Sequence, residues 1–180
     1  MPKSNIILIG FRCSGKTTIG RIISKKLSME LLDSDDMIER RCGMSIGELV
    51  KRKGWHFFRE IEKEVVAEIS RKNSIVAATG GGTPLDGENV RMLKASGWLV
   101  WLKAHPSFIK QRMRQQLESG LIRPSLTGED PVAEVAEVLA QRMPLYQQVA
   151  DFIVKTDGIT QTEVAQKIIA AYEMVFKAGH

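Results

Sequence analysis

Two rhythms of apolar residues alternate along the chain. Short apolar runs at Asn5–Ile9, Met29–Leu32, Ser74–Ala78, Trp98–Leu102 and Asp151–Val154 have the length of strands. Between them apolar residues recur every three or four positions. That spacing predicts helices at about 15–27, 35–42, 45–53, 55–72, 87–96, 106–116, 131–149 and 160–177. Over 55–72 it places Phe58, Ile61, Val65 and Ile69 on one face, the expected core stripe. Gly43 and Gly54 are candidates for the left-handed conformation that ends a helix. Ser45 with Glu48 has capping-box spacing, and Asp130-Pro131 reads as a helix cap followed by a first turn. Pro144 is expected to kink or split its helix. Strands that alternate with helices predict an α/β fold. Its five strands would form a mainly parallel sheet with helices on both faces, a three-layer α/β/α arrangement within one domain spanning 1–180.

Composition narrows the class. The chain has 180 residues, enough for one domain with a full core. Its only cysteines, Cys13 and Cys42, suit neither a disulfide framework nor a zinc site, which fits a reducing cytoplasm. His56, His105 and His180 share no ligand spacing, so no histidine metal site is expected. The apolar stretch near the N-terminus runs straight into a glycine loop and does not read as a signal peptide. No run approaches the ~20 apolar residues of a membrane span. The net charge of +5 suits phosphorylated or carboxylated small ligands. With no basic block interleaved with aromatics, it does not point to nucleic acid.

The first candidate chemistry is "GFRCSGKT", residues 10–17. Gly10, Gly15, Lys16 and Thr17 fit G-x-x-x-x-G-K-[ST] between a strand and a helix, the context in which that pattern cradles phosphates. Glycines let backbone N–H groups curl around the anion, and the helix N-terminus adds partial positive charge. Gly10, Cys13, Ser14, Gly15, Lys16, Thr17 and Thr18 are therefore the candidate ATP contacts. Lys16 would reach the β- and γ-phosphates, and the Thr17 hydroxyl would ligate Mg²⁺. A guanine-reading N-K-x-D is absent, because "VKTD" has Val154 in place of the asparagine.

Four further stretches suggest an acceptor. In "DSDD", Asp33 could reach Mg²⁺ through water, and Asp35 could take a proton or hydrogen bond from a hydroxyl; these acids could also simply cap the next helix. Arg59 in "WHFFREIEKE" has Glu62 three residues on to hold it. "ATGGGT" places Gly80, Gly81 and Gly82 after a strand, with backbone N–H groups open to a ligand. Arg142 precedes Pro144. Two arginines suited to a carboxylate, together with Asp35, suggest a carboxylated, hydroxylated acceptor. The polar stretch 113–131 reads as a long functional loop, with Arg123 placed to stabilise a transferring phosphoryl group.

In this order the motifs resemble those of the shikimate kinases, within the nucleoside monophosphate kinase-like P-loop proteins. "LLDSDDMIE", "FREIE", "GGGT", "IRPSL" and "RMPLY" carry the resemblance, over about Ile6 to Val154. It implies a P-loop kinase fold with a mobile lid at about 113–128 and a substrate-binding region at about 33–62. It also implies ATP-dependent phosphorylation of the 3-hydroxyl of shikimate in aromatic amino-acid synthesis. Lys16, Asp35 and Arg123 would be catalytic. Asp35, Arg59, Arg142 and Gly80, Gly81 and Gly82 would hold shikimate, Thr17 and Asp33 would serve Mg²⁺, and Arg112 or Arg114 would lie against adenine. A cytoplasmic monomer without nucleic-acid or membrane partners is expected. The chain departs from the resemblance at Cys13, where glycine is common, at Ser125, where leucine is common, and in a longer spacer before Arg123. Another small-molecule kinase, for gluconate or a nucleotide, would share the loop and lid but would not need the paired arginines. An ATP-sensing module would need neither Asp35 nor Arg123.

Overall fold

Five strands, Asn5–Ile9 (β1), Glu30–Asp33 (β2), Ile75–Ala78 (β3), Gly97–Lys103 (β4) and Phe152–Lys155 (β5), form one sheet in the order β2-β3-β1-β4-β5. Every neighbouring pair is parallel. The computed structural model describes residues 4–120, 124–128 and 130–176. Its helices are Lys16–Leu27 (α1), Ser34–Cys42 (α2), Ile46–Ser70 (α3), Gly87–Ser96 (α4), Pro106–Glu118 (α5), Val135–Val149 (α6) and Gln161–Phe176 (α7).

The period of two along β1 makes the three layers. Ile6 and Leu8 face a core built with Ile19 and Ile23 of α1 and with Val164, Ala165 and Ile168 of α7. Ile7 and Ile9 face the opposite core, built with Val65 and Ile69 of α3, Leu93 of α4 and Val135 and Leu139 of α6. Each such side chain is buried, a contribution of about 1.5–3 kcal/mol for each Ile, Leu and Val before entropy is counted. Phe58, Val65 and Ile69 are buried as the periodicity implies, while Ile61 is only partly covered.

Three boundaries differ from the sequence reading, each for a local reason. Helix α5 runs to Glu118, into the stretch expected to be loop, because Ile109, Met113 and Leu117 continue its apolar stripe toward the core. Helix α6 begins at Val135 and not at 131. The Asp130 carboxylate does accept from the amides of Val132 and Ala133, but it organises a separate turn. Pro144 does not split α6: Pro144 and Ala140 both lie on the exposed face, where water can take the carbonyl that proline leaves unpaired. One other expectation holds in detail and one only in part. Ser45 and Glu48 form a capping box, and Gly54 bends α3 with φ 83° and ψ 167°. That conformation is essentially reserved for glycine, although it is not the left-handed helical one expected.

The consequence for function is positional. The loop after β1, Asp33 at the end of β2 and the glycines after β3 all emerge at the carboxyl ends of parallel strands, where α/β sheets bind ligands.

Candidate active site

The loop from Gly10 to Gly15 wraps a lysine. Lys16, almost wholly buried, donates from Nζ to the carbonyls of Gly10 at 2.7 Å and Phe11 at 2.8 Å. A positive charge thus sits at the centre of a loop shaped for an anion. Gly10 takes φ 141°, and a Cβ there would meet the Leu102 carbonyl at 2.8 Å, so only glycine fits. Cys13 takes φ 61°, the region glycine prefers, at a cost of about 1 kcal/mol. That is the physical reason glycine suits this position. Its thiol lies 3.2 Å from Gln116 Oε1.

Asp33 serves two structures at once. Its Oδ1 caps α2 by accepting from the amides of Asp35 at 3.0 Å and Asp36 at 3.4 Å, while its Oδ2 accepts from the Thr17 hydroxyl at 2.6 Å. The capping acid is therefore Asp33, not Asp35 or Asp36. Burial, and then the Asp33 charge, raise the Asp36 carboxyl above its ordinary value.

The glycine triplet is explained by close approach, not by backbone angle. A Cβ on Gly80 would lie 2.9 Å from Glu62 Oε1 and 3.0 Å from Asp35 Oδ1, and one on Gly82 would land on the Arg59 guanidinium. The expectation of three open N–H groups needs correction, since the Gly80 amide donates to Ser34 Oγ at 2.8 Å. Gly81 and Gly82 line the cleft. Arg59 donates to Glu62 Oε2 at 2.5 Å, as the spacing implies, and Glu62 is buried, also accepting from Thr83 Oγ1 at 2.8 Å. Trp55 and Phe58 present their rings to Arg59 from 5.5 and 5.0 Å.

Tyr146 ties the arginines to the glycines. Its hydroxyl donates to the Gly81 carbonyl at 2.6 Å. Burial pushes its pKa up to about 12 even though Arg142, Arg59 and Arg12 surround it, so it stays protonated as the donor. Arg142 itself is buried, with its guanidinium 5.7 Å from the Phe11 ring.

These groups line one cleft of about 570 Å³. Thr17, Asp33, Asp35, Arg59, Gly80, Gly81, Gly82 and Arg142 all face it, which brings together the predicted metal and substrate residues. Lys16 and the rest of the loop form an adjoining cradle shaped for an anion. Arg112 lies beside that cradle, within 3.3 Å of the Cys13 carbonyl and 3.5 Å of the Thr156 carbonyl, whereas Arg114 is exposed. Thr18 is exposed on α1. Arg123 lies outside the described residues. Among the described residues no group of three or more metal-ligating side chains occurs. Sequence reasoning passed over Arg12, Trp55, Glu134 and Tyr146. Arg12 occupies a variable position of the phosphate-loop pattern, Tyr146 lies in RMPLY with no chemical signal of its own, and Glu134 belongs to no motif.

Comparison with known proteins agrees with this geometry. The shikimate kinase family model matches residues 12–173. The shikimate kinase of Thermodesulfovibrio yellowstonii is 43% identical over 169 residues, covering 94% of this chain and 95% of the relative. That of Moorella thermoacetica is 42% identical over 170 residues, with 93% of each chain covered. The structure of shikimate kinase from Acinetobacter baumannii in complex with shikimate superposes with a TM-score of 0.87 at 32% identity, covering 99% of this chain and 96% of that one. Agreement of this breadth, in sequence and in fold, means that the chain belongs to the shikimate kinase family.

Proposed function

We propose that the chain transfers the γ-phosphoryl group of ATP to the 3-hydroxyl of shikimate, giving shikimate 3-phosphate and ADP for aromatic amino-acid biosynthesis. The observation that carries this reading is that Asp35, Arg59 and Arg142, remote in sequence, share one cleft bordered by Thr17 and Asp33. The two guanidinium groups match a carboxylate, and Asp35 matches a hydroxyl. That a family member has been solved with shikimate bound adds support.

Each residue then has a task. Lys16 and the loop amides hold the phosphates, and Arg112 borders the adenine side. Thr17 Oγ1 and Asp33 Oδ2, 2.6 Å apart, are hard oxygen donors that fit Mg²⁺, which when bound neutralises phosphate charge. Asp35 orients the acceptor hydroxyl and takes its proton. Arg123 is assigned to the developing charge on the transferring group. The reading places a monomer in the cytoplasm; Cys13 and Cys42, free of any disulfide, suit a reducing compartment.

The test is an ADP-release assay with shikimate, gluconate, AMP and CMP in parallel. Stimulation by shikimate alone is expected; a response to one of the others instead would overturn the reading. A steric variant probes the acceptor side. In Gly82→Ala the new methyl would displace the Arg59 guanidinium, the end of a flexible side chain, so the fold survives. We expect the shikimate KM to rise about tenfold, equivalent to ~1.4 kcal/mol, with the ATP KM nearly unchanged, as read by steady-state kinetics.

A further inference from the structure

Outside the groups given a task above, a buried ion pair lies beside the cleft. Arg12, from the variable part of the phosphate loop, pairs with Glu134. The Arg12 side chain is 10% exposed and that of Glu134 1% exposed. Arg12 also donates to the Pro124 carbonyl at 2.8 Å. Glu134 collects the chain that follows: it accepts from Ser125 Oγ at 2.9 Å, from the Leu126 amide at 3.0 Å, and from the Thr127 amide and hydroxyl at 2.9 and 2.8 Å. Ser125 Oγ in turn accepts from the Gly128 amide at 2.7 Å. Arg12, Pro124 and Leu126 all line the cleft that holds Asp35, Arg59 and Arg142.

Resting on the kinase reading above, we propose that Arg12 and Glu134 are positioning residues, an ion-paired anchor that ties residues 124–127 to the phosphate loop and so fixes that wall of the acceptor cleft for phosphoryl transfer. A carboxylate this buried is costly unless paired and hydrogen-bonded, and Glu134 is both. Burial raises its pKa, but the hydrogen bonds from Leu126, Thr127 and Ser125 outweigh that and hold it below the ordinary glutamate range, so it is ionised at neutral pH. Arg12 belongs to the loop that cups the phosphates, so the wall's position follows the phosphate loop. A wall held in place retains the acceptor and excludes water, which otherwise takes the phosphoryl group itself. Ser125, where leucine is common in the resembling segments, supplies one of the bonds that make the anchor.

The test is a double-mutant cycle with Arg12→Gln, Glu134→Gln and both, on protein whose thermal unfolding shows it folded. We expect each single variant to lower kcat with shikimate about tenfold and to raise the ratio of ATP hydrolysed to shikimate phosphorylated. Nucleotide affinity should stay nearly unchanged. The double variant should be no worse than either single, because one unit has been broken twice. A folded Glu134→Gln with wild-type kcat and ratio, or losses that multiply in the double, overturns the anchor. If Glu134→Gln does not fold, Ser125→Ala, which leaves the ion pair intact, is expected to lower kcat about threefold, and wild-type kcat overturns the proposal. Wild-type protein that ignores shikimate would instead defeat the underlying kinase reading, and the anchor's catalytic role with it.

Discussion

Asp35→Asn is expected to lower turnover by at least about 100-fold while leaving ATP affinity close to wild type. The argument is geometric. The Asp35 amide is fixed by Asp33 Oδ1 at 3.0 Å, in the first turn of α2. Its side chain points across the cleft to the glycine loop, where only the missing Cβ of Gly80 leaves room for it. Positioned acids and bases contribute about 10²–10⁴ in rate, and phosphoryl transfer sits at the low end because its loose transition state asks little of a base. Asparagine has nearly the same shape but carries no charge and cannot take the hydroxyl proton. The nucleotide loop is untouched, since the Thr17–Asp33 bond does not involve Asp35. Turnover by coupled assay and nucleotide binding by calorimetry separate the two effects. A kcat within about threefold of wild type would remove Asp35 from the chemistry and leave it only a structural acid.

The sheet and the phosphate loop were legible in the sequence because both rest on local patterns. Apolar runs of strand length gave all five strands to within two residues, and the loop's glycines and Lys16 have a spacing that the phosphate dictates. Asp35, Arg59 and Arg142 were legible as residue types, but their convergence was not: it depends on how α2 packs on α3 and α6 on the turn that follows β3. The glycine triplet shows the limit most clearly. Its spacing suggested a ligand contact, yet the structure attributes Gly80 and Gly82 to close packing against Glu62, Asp35 and Arg59. Glu134 was invisible for the same reason. Its partners at 125–127 lie seven to nine residues away across a turn, and Arg12 lies 122 residues away, so no periodicity links them.

Arg142→Ala is expected to raise the shikimate KM by about 10–100-fold, more than Arg59→Ala does, with a smaller change in kcat. The two arginines face the same cleft, but their charges are not equally available. Arg59 already donates to the buried Glu62, so much of its field is neutralised before any ligand arrives. Arg12 is likewise matched by Glu134. Among the described residues no carboxylate pairs with Arg142, which is buried beside Phe11 and Tyr146. A buried, unmatched guanidinium is the stronger recruiter of an anionic acceptor, because the ligand's carboxylate supplies the charge that the fold withholds. The same asymmetry fixes the stability effects. Removing Arg142 takes away an uncompensated buried cation and leaves Tyr146 still bonded to Gly81, so unfolding should shift little. Removing Arg59 strands the Glu62 carboxylate, with a loss of up to about 3 kcal/mol. Thermal unfolding alongside steady-state kinetics of both variants tests the pair, and a larger KM increase in Arg59→Ala than in Arg142→Ala would show that pre-existing ion pairing does not decide which arginine holds the acceptor.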